Sequence, residues 1–123
     1  MNNSIKYVVG IVFVLCFLNV EVQAQDNIKV EKGDIVEWKG FKRNYFKFNG
    51  RNAFITLPKT EIEGKPWVWN ARFPDWHPEM DSILVSQGFY IAHIDTNNLY
   101  GSPEAMEVWD SFYDYLTKET GFN

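Results

Sequence analysis

The chain has 123 residues, a formal net charge of −4 at pH 7, 46% hydrophobic residues and one cysteine. A chain of this length makes one domain at most, which buries roughly 60–65% of the surface that its unfolded form exposes. The mild acidity, with both signs interspersed, excludes the basic patch that would bind nucleic acid or an anionic membrane surface. A lone cysteine excludes an internal disulfide and a cysteine zinc cluster.

Residues 1–24 are predicted to be a signal peptide. Lys6 provides a positive start, residues 7–18 are continuously apolar, and Val22 and Ala24 occupy the positions that a signal peptidase inspects. Twelve apolar residues are too few to span a bilayer core of about 30 Å, although an uncleaved amino-terminal anchor is the alternative. We therefore expect a periplasmic or secreted protein that begins near Gln25 and has no stable membrane anchor. Its charge stays at −4, since Lys6 and Glu21 are removed together.

The next segment predicts an antiparallel hairpin. Residues 25–42 are expected to be an amino-terminal extension with a short strand at residues 35–38. Asn49 and Gly50 then separate two runs of alternating apolar residues, 44–48 and 51–57. An Asn-Gly pair adopts the positive φ angles of a two-residue hairpin turn, so the two runs should pair with each other.

Residues 65–96 form the central unit of the predicted fold. They contain an apolar run at 66–71, a helical pattern that ends at Gly88, and a second apolar run at 89–94. Two such strands joined by a helix make a strand–helix–strand unit, which requires parallel pairing.

A second helix should follow. Ser102 is a favourable N-cap, Pro103 suits the first helical position, and Gly121 suits the end of the helix. The apolar stripe of this helix contains Ala105, Trp109, Phe112 and Leu116. The element order is therefore hairpin, strand, helix, strand, helix, which predicts the α/β class.

Several kinds of site are excluded by the sequence. No glycine-rich phosphate loop follows either central strand, and the two histidines, His77 and His93, have no cluster of metal-ligating neighbours. We expect no cofactor and no metal, and we interpret His93 as a packed or capping histidine. The serines lie in helices or at a cap, and none occupies a nucleophile elbow.

The loop at residues 70–77, Asn-Ala-Arg-Phe-Pro-Asp-Trp-His, carries the most functional groups. In one interpretation it is a structural connection in which Arg72 pairs with Asp75 or Asp81, while Phe73 and Trp76 cover the core. In the other it faces a ligand crevice, because loops at the carboxyl ends of parallel strands do so in open sheets. Its backbone N–H groups could then stabilise a developing oxyanion.

Three stretches carry a resemblance to a known family: GKPWVWNARF at residues 64–73, SQGFYIAHIDTNNLYGSP at 86–103 and AMEVWDSFYDYLTKETGF at 105–122. They resemble the amino-terminal part of exported bacterial α/β-hydrolases of the prolyl-oligopeptidase-like and carbohydrate-esterase-like group. The resemblance covers residues 43–123. It implies a truncated α/β-hydrolase fold, in which these residues are the amino-terminal half of the domain and form strands one to four of a mixed sheet.

The resemblance also implies which residues would form the oxyanion hole and the substrate pocket. One oxyanion N–H would come from Ala71 or Arg72, with Asn70 and His77 as neighbours in the substrate pocket. The chain would hold no catalytic residue, because the nucleophile, acid and base would lie in a missing carboxyl-terminal half beyond Asn123. The complete enzyme would act on a small-molecule ester, amide or glycan-derived substrate, and this chain alone would be inactive. The sheet order of the family would leave the strand at residues 66–71 as an exposed apolar edge.

A small exported carbohydrate-binding module is the alternative function. Trp38, Trp67, Trp69 and Trp76 could stack on sugar rings, provided that their side chains are exposed on one face. Trp67 and Trp69 share a face of one strand, but two core residues would do the same.

Overall fold

The computed structural model describes residues 30–123, so the predicted signal peptide lies outside the described residues. The described part has five strands, two α-helices and a π-helical turn. In chain order they are β1 (Asp34–Trp38), β2 (Phe41–Phe48), β3 (Arg51–Leu57), β4 (Trp67–Trp69), α1 (Glu79–Ser86), β5 (Tyr90–Ile94), α2 (Pro103–Asp114) and the π-helical turn (Tyr115–Glu119).

The strands form one sheet in the order β1-β2-β3-β5-β4. The β2–β3 hairpin turns at Asn49 and Gly50, whose φ angles are 48° and 80°, as a two-residue hairpin turn requires. The predicted hairpin is therefore confirmed. β1 falls within the predicted extension at residues 25–42 and pairs antiparallel with β2 along its whole length.

The unit β4–α1–β5 confirms the predicted parallel pairing. Trp67 lies opposite Tyr90, and Trp69 lies opposite Ala92. Gly88 ends the helical segment with a φ of 102°, and a Cβ at this position would lie only 2.4 Å from the Cγ1 of Ile62. Only glycine accommodates both the backbone angle and the close approach.

The core lies on both faces of the sheet. α1 covers one face, where Val85 packs with Phe54 and Ile91. α2 and the π-helical turn cover the other face, on which the larger cluster is built. Its buried members are Phe46, Ala53, Ile55, Tyr90, Ala92, Ile94, Phe112, Tyr115, Leu116 and Phe122. β5 is buried at every position because it lies between β3 and β4 and beneath both layers.

α2 begins as predicted. The Oγ of Ser102 accepts a hydrogen bond from the N–H of Ala105 at 3.4 Å, and Pro103 is the first helical residue. The helix ends in the π-helical turn, after which Gly121 has a φ of 76°. The apolar stripe is buried at Ala105, Phe112 and Leu116.

The structure contradicts the predicted fold class, α/β with a truncated α/β-hydrolase fold. The described chain is a small, mostly sheet domain with two short helices of 8 and 12 residues. Three of its four strand pairings are antiparallel. The physical reason lies in the tight turns at Gly40 and Gly50, which join β1, β2 and β3 without any helix between them. The alternation of strand and helix is thus confined to β4–α1–β5–α2.

Candidate functional site

The loop at residues 70–77 leaves the carboxyl end of β4, beside the carboxyl end of β5. The N–H of Asn70 still continues the sheet ladder by donating to the carbonyl oxygen of Ala92 at 2.9 Å. Its side-chain Nδ2 donates to Oδ2 of Asp81, in the first turn of α1, at 2.8 Å. Asn70 therefore connects β4, β5 and α1 at one point.

His93 of β5 completes this connection. Its Nδ1 lies 2.7 Å from the carbonyl oxygen of Asn70, and since a carbonyl can only accept, Nδ1 carries the hydrogen. The imidazole is only 8% exposed and stacks on Phe54 with 5.1 Å between ring centroids. Burial lowers the pKa of His93 below its ordinary value, while the hydrogen bond to Asn70 acts in the opposite direction. His93 is thus a packed histidine, in line with the prediction from the sequence.

Arg43 of β2 is the most unusual residue near the loop, because its guanidinium is fully buried. It lies between two aromatic rings, 4.0 Å from the ring centroid of Trp38 and 4.1 Å from that of Phe54. Its Nε donates to the Oγ1 of Thr56 at 2.8 Å. Stacking between rings and a planar fork of donors are what distinguish arginine from lysine at a buried position.

Asp75 in the middle of the loop is the carboxylate partner of this cation. Nη1 of Arg43 lies 2.8 Å from Oδ1 and 3.0 Å from Oδ2 of Asp75. Nε1 of Trp38 donates to the same Oδ1 at 2.7 Å. The loop is therefore anchored to β1 and β2 by one carboxylate that accepts three charge-assisted hydrogen bonds.

The backbone of the loop is held in a costly conformation. Phe73, Asp75 and His77 have φ angles of 54°, 69° and 55°. Left-handed geometry costs roughly 1–2 kcal/mol at a non-glycine residue, and aspartate tolerates it best of these three. The bonds from Arg43 and Trp38 to Asp75 offset this cost and fix the path of the chain.

The predicted oxyanion donors, Ala71 and Arg72, lie at the start of the loop and are exposed. No hydrogen bond within residues 30–123 uses the backbone N–H of either residue. The residue before them, Asn70, is anchored through its own N–H, its carbonyl and its side chain. The two N–H groups thus have no hydrogen-bond partner among the described residues, on a segment that is fixed at its base.

The other predicted pocket residue, His77, makes no hydrogen bond with Asn70 in the described part of the chain. Its side chain is 78% exposed, and its closest ionic neighbour is Glu79, with 4.0 Å between Nδ1 and Oε2. Asn70 is instead engaged with His93 and Asp81, so the structure does not join the two predicted pocket residues through any hydrogen bond among the described residues.

The purely structural interpretation of the loop is wrong in its details. Asp75 pairs with Arg43 and Asp81 with Asn70, whereas the guanidinium of Arg72 lies over the ring of Phe73 at 4.7 Å. The two large aromatic residues of the loop do not cover the core, because Phe73 is 54% and Trp76 is 67% exposed. The sequence signal for Arg43 was a charged residue on the inward side of a hairpin strand, between Phe41 and Tyr45.

The tryptophans considered for sugar stacking do not form one surface. Trp38 packs on Arg43 at the α1 face of the sheet. Trp67 and Trp69 lie on the α2 face, against Tyr113 and Trp109 respectively.

The described serines all hydrogen-bond to helix backbone. Oγ of Ser82, Ser86 and Ser111 donates to a carbonyl oxygen of its own helix, and Oγ of Ser102 caps α2. Within residues 30–123, no group of three or more histidine, cysteine, aspartate or glutamate side chains is arranged to hold a metal ion. In the same range, every helix is too short or too polar to cross a membrane.

Comparison with known proteins gives no match: no family model, no curated protein and no solved structure is similar to the chain. The resemblance to exported hydrolases therefore stays a prediction.

Proposed function

We propose that this chain supplies the oxyanion-binding wall of an exported serine hydrolase of the esterase or peptidase type. The observation that carries the proposal is that Ala71 and Arg72 are exposed residues whose backbone N–H groups have no hydrogen-bond partner among the described residues, on a loop anchored by Asn70 and Asp75. Acyl transfer needs fixed donors aimed at the carbonyl oxygen, which gains negative charge in the transition state. Donors fixed before the reaction cost no reorganisation when that charge develops.

The anchoring of the loop supports this role on electrostatic grounds. The cation of Arg43 is already neutralised by Asp75, so it does not compete with the backbone donors for an anion. The described serine hydroxyls are committed to helix carbonyls, and neither histidine is hydrogen-bonded to a serine. The nucleophile, acid and base would therefore come from further polypeptide, the carboxyl-terminal half of the hydrolase.

The free edge of β4 is where such a partner would join. Among the described strands, β4 pairs only with β5 and is an outer strand of the sheet. Trp69, at the end of this strand, is 41% exposed, and Tyr113 of α2, beside Trp67, is 55% exposed. An outer strand bordered by apolar rings favours pairing with another strand. A partner strand here would extend the sheet beside the first residues of the loop.

Ester hydrolysis in a reconstituted enzyme tests the proposal. The chain would be co-expressed with the polypeptide encoded directly downstream and assayed with p-nitrophenyl acetate. We expect turnover from the pair and none from the chain alone. Ala71→Pro removes one N–H at a position of negative φ, and we expect it to lower kcat about 10²- to 10³-fold with little change in KM.

Asn52→Ala is the matched control, because this exposed residue of β3 lies outside the loop. Turnover by the chain alone that one Ser→Ala change abolishes would overturn the proposal. So would an active pair in which Ala71→Pro and Asn52→Ala have equal kcat.

One observation favours carbohydrate binding as a second candidate. Trp76 is 67% exposed, and its ring has two aromatic neighbours, Phe73 at 87° and His77 at 36° to its plane, each with 5.5 Å between ring centroids. It lies next to Asp75, whose anchoring holds the loop in place. Quenching of tryptophan fluorescence by oligosaccharides, lost in Trp76→Ala and kept in Trp69→Ala, is the expected result. Equal quenching in both variants would exclude Trp76 as the stacking residue.

A further inference from the structure

The peptide group that joins Asn70 to Ala71 is held by a side chain of the neighbouring strand. Nδ1 of His93 donates to the carbonyl oxygen of Asn70 at 2.7 Å. This peptide group is trans and planar, so the carbonyl oxygen of Asn70 and the N–H of Ala71 point in opposite directions from one rigid unit. A contact that fixes the carbonyl oxygen therefore also fixes the direction of the N–H.

The bond from His93 continues the pairing of β4 with β5 by one step. The N–H of Asn70 donates to the carbonyl oxygen of Ala92 at 2.9 Å, as in a parallel ladder. The carbonyl oxygen of Asn70 then accepts from the side chain of the next residue of β5, His93. Two successive residues of a strand that is buried at every position thus hold both backbone groups of Asn70. The N–H of Ala71 follows directly and has no hydrogen-bond partner among the described residues.

The imidazole of His93 has little freedom to turn away from this bond. His93 is 8% exposed, and its ring stacks on Phe54 with 5.1 Å between centroids and 27° between planes. Phe54 is itself buried, packs with Val85, and has the guanidinium of Arg43 4.1 Å from its ring centroid. Since side chains in such a core keep a single packed arrangement, Nδ1 stays directed at the carbonyl oxygen.

The same bond makes the N–H of Ala71 a stronger donor. A hydrogen bond to the carbonyl oxygen of a peptide group polarises the whole group, which strengthens a bond made by its N–H by roughly 10–30%. The side chain of Asn70 adds a further hold on this residue, because its Nδ2 donates to Oδ2 of Asp81 at 2.8 Å. Direction and polarity are the two properties that an oxyanion donor needs to have fixed before the reaction.

We propose that His93 is a positioning residue, which holds the carbonyl oxygen of Asn70 and thereby aims the N–H of Ala71 at the oxyanion. His93 does this without touching the substrate, because its bond lies on the opposite side of the peptide group from the N–H. The inference rests on the function proposed above, since it takes the N–H of Ala71 as an oxyanion donor.

Two variants of nearly equal size separate the hydrogen bond from the packing. Nδ2 of asparagine occupies the place of Nδ1 of histidine, so His93→Asn keeps the donor and His93→Leu removes it. Relaxation of ¹⁵N in the chain alone measures the order parameter of the Ala71 N–H. We expect about 0.85 for the unchanged chain and for His93→Asn, and less than about 0.6 for His93→Leu.

Val85→Ala is the control for a loss of stability without a loss of the bond. It leaves a cavity beside Phe54, in the layer of the core that also contains His93, and it removes no hydrogen bond of the loop. The order parameter of the Ala71 N–H should therefore stay at about 0.85 in this variant, since it is measured on the folded molecules.

The reconstituted pair with p-nitrophenyl acetate gives the kinetic test. His93→Leu should lower kcat about 10- to 100-fold with little change in KM, because the misdirected donor acts mainly in the transition state. His93→Asn should restore most of this loss, and Val85→Ala should have a kcat close to that of the unchanged pair. A role of His93 in stability alone would give the asparagine and leucine variants the same kcat.

Equal order parameters for the Ala71 N–H in His93→Leu and His93→Asn would overturn the inference, and so would equal kcat values. A pair without turnover even when the chain is unchanged would instead overturn the proposed function. The order parameters are measured without the partner, so they decide separately whether His93 holds the peptide group.

Discussion

Replacing Asp75 by alanine should destabilise the fold more than any other change in the loop. The substitution leaves the buried guanidinium of Arg43 without its carboxylate and removes three hydrogen bonds, two from Arg43 and one from Trp38. Breaking a fully buried ion pair in this way costs about 3–5 kcal/mol. The side chain of Asp75 is 46% exposed, so water can replace part of the lost interaction. We therefore expect a loss of about 2–3 kcal/mol in the free energy of unfolding.

Urea denaturation followed by tryptophan fluorescence measures this loss. Asp75→Asn is the matched control, because asparagine also tolerates the φ of 69° and keeps an acceptor for Trp38 and Arg43. It should cost less than Asp75→Ala, because one amide oxygen still accepts a hydrogen bond although the charge of Arg43 is no longer compensated. Combining Asp75→Ala with Arg43→Met should cost less than the sum of the single changes, since the second change removes the unpaired cation.

The reasoning would be refuted by Asp75→Ala unfolding within about 0.5 kcal/mol of the unchanged protein, the range of ordinary surface substitutions. Strict additivity in the double variant would refute it as well, because the carboxylate and the guanidinium would then act independently.

Three further predictions concern single residues. The pKa of His93 is lowered in the folded state, so the unfolded chain binds a proton at a higher pH than the folded protein does. The urea midpoint should therefore fall as the pH drops below about 6.5. His93→Gln should flatten this pH dependence, and an unchanged slope in the variant would contradict the prediction. Gly88→Ala should lower the free energy of unfolding by more than about 2 kcal/mol, because the new Cβ would lie 2.4 Å from Ile62. Gly101→Ala should lower it by only about 1 kcal/mol, for its φ of 70°, because no atom lies within 4 Å of the new Cβ. Comparable thermal shifts in the two variants would count against this prediction. Ser102→Ala should lower the free energy of unfolding by about 1 kcal/mol, because it removes the N-cap of α2. Ser111→Ala, at an exposed position of the same helix, should be close to neutral. Equal urea midpoints for the two variants would show that the cap does not stabilise the helix.

The elements that could be predicted from the sequence are those specified by neighbouring residues. Asn49 and Gly50 have backbone preferences that permit one turn, and this turn sets the register of β2 and β3. Ser102 and Pro103 define the start of α2 in the same local way. Such signals act over a few residues, so they can be recognised in the sequence without knowledge of the rest of the fold.

The partner of Asp75 could not be predicted, because it depends on contacts between distant segments. Arg72 is the nearest cation in the sequence, but the sheet brings Arg43, 32 residues away, against the carboxylate. The burial of Arg43 needs Trp38 from β1 and Phe54 from β3 on either side of its guanidinium. Sequence separation is therefore a poor guide to ion pairs inside a sheet.

The prediction of the fold class was wrong for a related reason. The pattern of apolar runs located the strands, but the class depends on how the strands are ordered and on how much helix covers them. The tight turn at Gly40 adds β1 to the same sheet and increases the share of antiparallel pairing. A prediction that rested on residues 65–96 gave this part of the chain too much weight.

The bond between Arg43 and Asp75 also has a consequence for the order of folding. The β2–β3 hairpin joins residues close in sequence and can form within microseconds, whereas β4 has three residues and depends on β5 for its pairing. Because Trp38 of β1 and Phe54 of β3 enclose the guanidinium of Arg43, we expect Asp75 to reach its partner after these strands have paired. The loop should therefore be among the last parts to become ordered, and the amide hydrogens of residues 70–77 should exchange with solvent by local opening while those of β3 exchange only on global unfolding.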